Sequence, residues 1–254
     1  MSISAGLLHV GTAGWSLSRD HIQYFPAEGS HLERYSRVLN CVEINSSFHR
    51  SHRRKTWERW AATTPAGFRF AVKVPKRITH EAKLRNAGAM LLDFMGEISG
   101  LNAGAEPKLG PRLVQLPPKL AFDSGVVREF LDTLRELHTG AVAVEPRHAS
   151  WFTGEADRLL REFEATRVAA DPPKGSPLAG EPAGDASLRY WRLHGAPRTY
   201  YSNYEDTFLE ALAERLRVDR QRLPESDTWV VFDNTALRHA TANALRLQTL
   251  LGLT

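Results

Sequence analysis

Short β-branched and aliphatic runs alternate along the chain with longer stretches whose apolar residues recur at helical spacing. The short runs, at residues 8–11, 41–45, 68–74, 112–116, 141–145, 167–171, 189–194 and 228–233, predict eight strands. Helical patterns fall between them at 30–39, 55–63, 84–98, 126–138, 155–164, 205–217 and 236–250. In the first, Leu32, Tyr35, Val38 and Leu39 share a face; in the fourth, Val127, Phe130, Leu131, Leu134 and Leu137 do so. In the last, the stripe is Leu237, Ala240, Ala244, Leu247 and Leu251. Strands alternating with helices imply βαβ units and a parallel sheet, and eight such units suit barrel closure better than an open doubly wound sheet. The predicted fold is α/β, a single (β/α)₈ TIM barrel spanning residues 1–254. The turn Gly11-Thr12-Ala13-Gly14-Trp15 lacks the Gly-x-Gly-x-x-Gly of a dinucleotide fold. Residues 171–184 read as a long loop after strand six, and Thr235 as the cap of the last helix.

Side chains alternate faces along a strand, so each strand can be sorted by parity. Val42 and Ile44 suit the helix-facing side, which leaves Cys41, Glu43 and Asn45 inside. The same sorting puts Lys73, Gln115, Glu145, Arg192, His194 and Asp233 inside, each near the C-terminal end of its strand. Barrel active sites lie at that end, where strand tips and following loops surround one cavity. Asp171 is a further candidate from strand six. Burying this many charges is costly unless they are paired or functional. Cys41 reads as packing, and Trp191, on the opposite parity, as core.

Composition adds limits. At 42% hydrophobic and 24% charged residues the chain is ordinary for a globular protein. No apolar run is long enough to span a membrane, and the first residues lack a signal-peptide pattern. With one cysteine, no intrachain disulfide or cysteine-built zinc site is expected, and the expected location is the cytoplasm. The formal charge of +4 is mild. The densest basic run, Arg50 to Lys55, reads mainly as the solvated start of a helix.

Seven motifs in order carry a family resemblance. They are Gly11-Thr12-Ala13-Gly14-Trp15, the stretch from Cys41 to Phe48, and Phe70-Ala71-Val72-Lys73-Val74-Pro75 with Ile78-Thr79-His80. Then come Gln115-Leu116-Pro117-Pro118, the stretch from Glu145 to Trp151, Tyr190-Trp191-Arg192-Leu193-His194-Gly195 and Phe232-Asp233-Asn234-Thr235. The chain resembles the YecE-like family, a domain of unknown function, over nearly its whole length. The resemblance implies a TIM barrel and no particular activity. It points to Trp15, Glu43, Asn45, Lys73, His80, Gln115, Glu145, Arg147, His148, Trp151, Arg192, His194, Gly195 and Asn234. Many family members carry Asn-Asn where this chain has Asp233-Asn234.

Three classes of function fit these residues. The first is an enzyme doing acid/base chemistry on a small polar or anionic substrate. Glu43, Lys73, Glu145, His194 and Asp233 are its candidate catalytic groups. Trp15, Asn45, His80, Gln115, Arg147, His148, Trp151, Arg192, Tyr201 and Asn234 are candidate substrate contacts. Arginine forks suit phosphate or carboxylate, histidine titrates near neutrality, and paired carboxylates act as acid and base when their pKa values separate. Lys73 is expected to pair with Glu43 or Glu145, with a Schiff base as the alternative. No cofactor is required; magnesium or manganese on Glu43, Glu145, Asp171, His194 and Asp233 is an option. The second class is nucleic-acid binding through the arginines and the aromatics Trp15, Trp151, Tyr200 and Tyr201. The third is a non-catalytic binding protein. Oligomeric state is not legible.

Overall fold

The structure is a computed structural model that describes residues 5–253. The described strands are β1 (Leu8–Ala13), β2 (Cys41–Ile44), β3 (Arg69–Lys73), β4 (Leu109–Gln115), β5 (Val142–Glu145), β6 (Ala165–Arg167), β7 (Ala169–Asp171), β8 (Ala183–Gly184), β9 (Leu188–Leu193) and β10 (Asp227–Phe232). The α-helices are α1 (His31–Ser36), α2 (Ser46–His49), α3 (Arg54–Ala62), α4 (Gly88–Ile98), α5 (Ser124–Leu137), α6 (Gly154–Glu162), α7 (Asp206–Arg222) and α8 (His239–Leu251).

These strands form one sheet of ten, in the order β7-β9-β10-β1-β2-β3-β4-β5-β6-β8. All pairs are parallel except β6 with β8, where Thr166 faces Gly184 and Arg167 faces Ala183. The expected eight strands are thus corrected to ten in a mixed sheet. The sixth expected strand is two segments interrupted at Val168. β6 pairs with β5 and β7 pairs with β9, so consecutive segments belong to opposite ends of the row. The Val168 N–H donates to Val144 O at 2.9 Å and continues the β5 side. The sheet is therefore nearly closed and barrel-like. The expected loop at 171–184 is corrected too: it holds a 3₁₀ turn at Pro177–Gly180, capped by Ser176, and the short strand β8.

Two apolar layers follow from strand parity. Val10, Val42, Ile44, Phe70, Val72, Val114, Val144, Val230 and Phe232 belong to the layer shared with the helices. Cys41, Ala71, Leu113, Ala143, Val168, Tyr190, Trp229 and Val231 form a separate inner cluster. Fully burying a Val or Phe side chain contributes roughly 1.5–3 kcal/mol, so the larger outer layer dominates the packing. Inside, space is short. A Cβ on Gly11 would stand 2.1 Å from the Cys41 carbonyl oxygen.

Helix starts obey local signals. Ser30 and Glu33 form a capping box on α1, Asp123 caps α5 and Thr153 caps α6. α5 buries Val127, Phe130, Leu131 and Leu134 on the predicted face. α8 departs from expectation. It begins at His239, after Arg238 in a left-handed conformation (φ 68°), without a side-chain cap. Thr235 is exposed and lies before that start, so it does not cap α8, and Leu237 is 58% exposed rather than in the stripe. Among the described residues, no helix is long and apolar enough to cross a membrane.

Candidate functional site

The C-terminal ends of β2, β5, β9 and β10 converge on one guanidinium. Arg192, on β9, is fully buried. Its Nε and Nη2 donate to the two oxygens of Glu43 at 2.9 and 2.7 Å. Nη1 donates to Glu145 Oε2 at 2.6 Å, and Nη2 also donates to Asp233 Oδ2 at 2.9 Å. One planar fork thus holds three carboxylates from three strands, a geometry lysine cannot supply. Two more donors complete the shell: the Tyr190 hydroxyl to Glu43 Oε2 at 2.9 Å and Gln115 Nε2 to Glu145 Oε2 at 3.0 Å.

His194 closes the other side. Its Nδ1 lies 3.0 Å from Asp233 Oδ2 and its Nε2 lies 3.2 Å from Glu145 Oε1. A ring with a carboxylate at each nitrogen is suited to carry both protons. Burial opposes that charge, but Glu145 and the hydrogen bonds to both carboxylates outweigh it and raise the His194 pKa. The carboxylates respond in kind. Burial works against their charge, yet Arg192 and His194 hold Glu145 well below, and Asp233 below, the usual range.

A cationic layer lies over this core. Arg147 donates Nε and Nη2 to Glu145 Oε1 at 3.1 and 3.0 Å while staying half-buried. Lys73, on β3, differs from every other charge here. It is 9% exposed and forms no ion pair among the described residues. Its amine sits 4.1 Å from the centre of the Phe48 ring, presented by α2. Burial, followed by Arg192, lowers its pKa to about 8 against the pull of Glu43, Glu145 and Asp233. The expected Lys73–glutamate pair is therefore corrected, because Arg192 already occupies the carboxylates. His80, on a π-helical turn at Arg77–Glu81, packs edge-on to Phe48 at 5.0 Å. Its pKa is lowered by burial, Lys73 and Arg147.

The remaining candidates sort by position. Asn45 is half-buried at the end of β2, with its Oδ1 buried and unpartnered by protein atoms. His148 caps a 3₁₀ turn through Ser150. Tyr201 is 38% exposed under the Arg198 guanidinium, and its neighbour Tyr200 meets His194 edge-on at 5.8 Å. Two candidates are tied into packing. Trp151 is buried and donates Nε1–H to Leu120 O at 2.9 Å, so it packs rather than lines the site. Asn234 is fully buried and donates to Ser202 O and Asn243 Oδ1 at 3.0 and 2.9 Å, tying loops together. Trp15 is half-buried against Trp60 at 5.0 Å. Asp171 does not join the cluster; its Oδ2 accepts from the Tyr204 hydroxyl at 2.7 Å. Tyr190 and Phe48 are not among the predicted contacts, and Tyr200 is expected only as a nucleic-acid-stacking aromatic. Tyr190 shares the inward parity of Arg192, and Phe48 closes the second motif, so both carried a signal.

The donor set does not suit a metal. Glu43, Glu145 and Asp233 already converge on a guanidinium and an imidazole, Asp171 points away, and no metal-ligating cluster occurs among the described residues. Nor is the cluster an open bowl. A cavity of about 570 Å³ flanks the ends of β1 and β10, between Ala13, Gly14, Thr235 and Arg238. A larger one, about 870 Å³, opens at the opposite end of the sheet.

The arrangement defines a barrel-like α/β protein with a buried, Arg-centred ion cluster at its strand C-termini. The chain belongs to the family described as "Protein of unknown function DUF72", whose model matches residues 9–254. It is 31% identical to UPF0759 protein YecE of Escherichia coli K12 over 157 residues, 61% of this chain and 54% of that protein. It is 26% identical to UPF0759 protein YunF of Bacillus subtilis over 58% of this chain and 53% of that protein. The chain thus spans about half the length of the curated relatives it matches. Among solved structures, a DUF72 family protein from Enterococcus faecalis V583 superposes with a TM-score of 0.81 at 22% identity, covering 98% of this chain and 96% of that one. Another from Thermotoga maritima MSB8 gives 0.77 at 25% identity, over 97% and 99%.

Proposed function

We propose that the nearly closed sheet is a (β/α)₈ barrel, with β6 and β7 together as its sixth strand. Its C-terminal end would be an acid/base site for a small anionic substrate. The observation that carries this reading is Lys73, a buried amine without a carboxylate partner and with a pKa lowered to about 8. Such a group exchanges protons near neutrality, which suits a general base or acid. Glu43, Glu145 and Asp233 serve as the frame that fixes Arg192 and His194. Three carboxylates face Arg192, His194, Arg147 and the protonated Lys73, so one positive charge is left over for a phosphate or carboxylate. Arg147, partly exposed while its Nε and Nη2 hold Glu145, is the anchoring cation.

The test is a thermal-shift screen of phosphate- and carboxylate-bearing metabolites. It is followed by deuterium uptake from D₂O into any compound that binds. The reading expects stabilisation that disappears in Lys73→Met and Arg147→Gln, and exchange that disappears in Lys73→Met. Compounds that stabilise wild type and both variants equally, or none that stabilise wild type, contradict it. Nucleic-acid binding has less support, since Trp151 is buried and Trp15 packs on Trp60. Retention on immobilised DNA or RNA that weakens steeply with salt would restore it.

A further inference from the structure

The cavity of about 870 Å³ lies at the N-terminal end of the strands, far along the chain's topology from Glu43 and Arg192. Its size is that of a small-molecule site. One wall is made where β4 begins and α5 ends. Arg112, the fourth residue of β4, is 1% exposed and lines this cavity. Its Nη1 donates to Gly110 O at 2.7 Å, but Nε and Nη2 have no protein partner. A buried guanidinium without a counter-charge is an expensive arrangement.

Its neighbours deepen the imbalance. His138, just past α5, has a buried Nε2 that also lacks a protein partner. Arg135, on α5, is already committed to the carbonyls of Phe163, Gly140 and Glu164. The charges bearing on His138 are both cations, Arg112 and Arg135, and with burial they lower its pKa to about 3. The charge bearing on Arg112 is Arg135. Four acidic residues line the same cavity, Glu164, Asp185, Glu225 and Asp227; Glu164 and Asp185 bear on Arg135, and none of the four bears on Arg112 or His138.

Between the free nitrogens sits a glycine. A Cβ on Gly140 would stand 2.6 Å from Arg112 Nη2 and 2.5 Å from His138 Nε2. Any side chain at this position would press on both nitrogens, so the glycine lets the two unpartnered groups stand close together.

We propose that Arg112 and His138, brought together over Gly140, form an anion-binding site at the N-terminal mouth, which takes the phosphoryl group of a small molecule. The guanidinium offers Nε–H and Nη2–H to two oxygens of the group, and His138 offers Nε2–H to a third. The rest of the cavity, walled by His9 and Trp229 with ring centres 4.5 Å apart and planes tilted by 35°, accommodates the remainder of the ligand. This site is independent of the one at the strand C-termini.

Isothermal titration with inorganic phosphate, ribose 5-phosphate and adenosine monophosphate tests it, on wild type, Gly140→Ala, Arg112→Gln and Lys73→Met. Gly140 has no positive φ, and its new methyl group meets only the tips of flexible side chains, so that variant keeps its fold. Saturable binding is expected in wild type and Lys73→Met. It should fall about tenfold or more in Gly140→Ala and Arg112→Gln, the worth of a charge-assisted hydrogen bond. Tighter binding of the organic phosphates assigns the whole cavity to the ligand, and equal binding assigns free phosphate. No saturable binding of any probe, or binding unchanged in Gly140→Ala and Arg112→Gln, overturns the proposal.

Discussion

Arg192→Met removes the centre of the ion cluster while keeping an unbranched side chain of similar length. Four guanidinium hydrogen bonds to Glu43, Glu145 and Asp233 are lost at once. All three carboxylates are at least nine-tenths buried, so water cannot replace those bonds without opening the fold. Breaking a buried ion pair by removing one partner costs about 3–5 kcal/mol, and three carboxylates on one cation place this case at the upper end. A protein of this size loses about 2–4 °C of Tm per kcal/mol, so the expected drop is on the order of 10 °C. The pH dependence is the sharper signature. In wild type, Glu145 and Asp233 have folded-state pKa values below their unfolded ones. Their stabilisation is present at neutral pH and lost as pH falls through the folded values. Without Arg192, burial favours the protonated carboxyls, so mild acid relieves the variant. Denaturant unfolding at pH 7.5 and pH 5 should show a gap between the proteins that narrows in acid. A gap under about 1 kcal/mol, typical of an exposed pair, or one equal at both pH values, would refute the reasoning.

Other substitutions probe other parts of the account. Lys73→Met should be more stable than wild type at pH 7, by up to about 3 kcal/mol, because a folded pKa near 8 against 10.5 unfolded penalises the charged amine. That advantage should fade as pH rises from about 8 towards 10.5, and its absence at pH 7 in urea unfolding would remove the desolvated-amine argument. His194→Gln should cost most below the ordinary histidine pKa, and the cost should shrink as pH rises through the raised folded value; thermal melts across that range decide it. Gly11→Ala pushes a methyl group against the Cys41 carbonyl and should destabilise by about 1–3 kcal/mol or more, read by denaturant midpoint.

Strand parity was legible because Val and Ile mark one face of β2, β5 and β10 so plainly that Glu43, Glu145 and Asp233 had to take the other. Strand six offered no such contrast. Ala165, Val168, Ala169 and Ala170 are small on both faces, so neither the interruption nor the outward parity of Asp171 could be read. Charge alone did not say which cation would meet the carboxylates. Arg192 and Lys73 both point inward, and only the distances show the fork taking all three acids and leaving the amine over Phe48. Trp151 and Asn234 stand in turns, where no period reports burial; their partners, Leu120 O and Ser202 O, come from distant segments. The Arg112 wall escaped for the same reason, since it forms between the start of one strand and the end of a later helix.

The central claim is that Lys73 is a proton-exchanging amine held beside, and not within, the Arg192 cluster. Its side-chain Nζ or Cε resonance, assigned by comparison with Lys73→Met and followed from pH 6 to 11, tests that directly. A titration midpoint near 8 is the predicted result. A midpoint alongside the surface lysines, near the ordinary value of about 10.4, would contradict it.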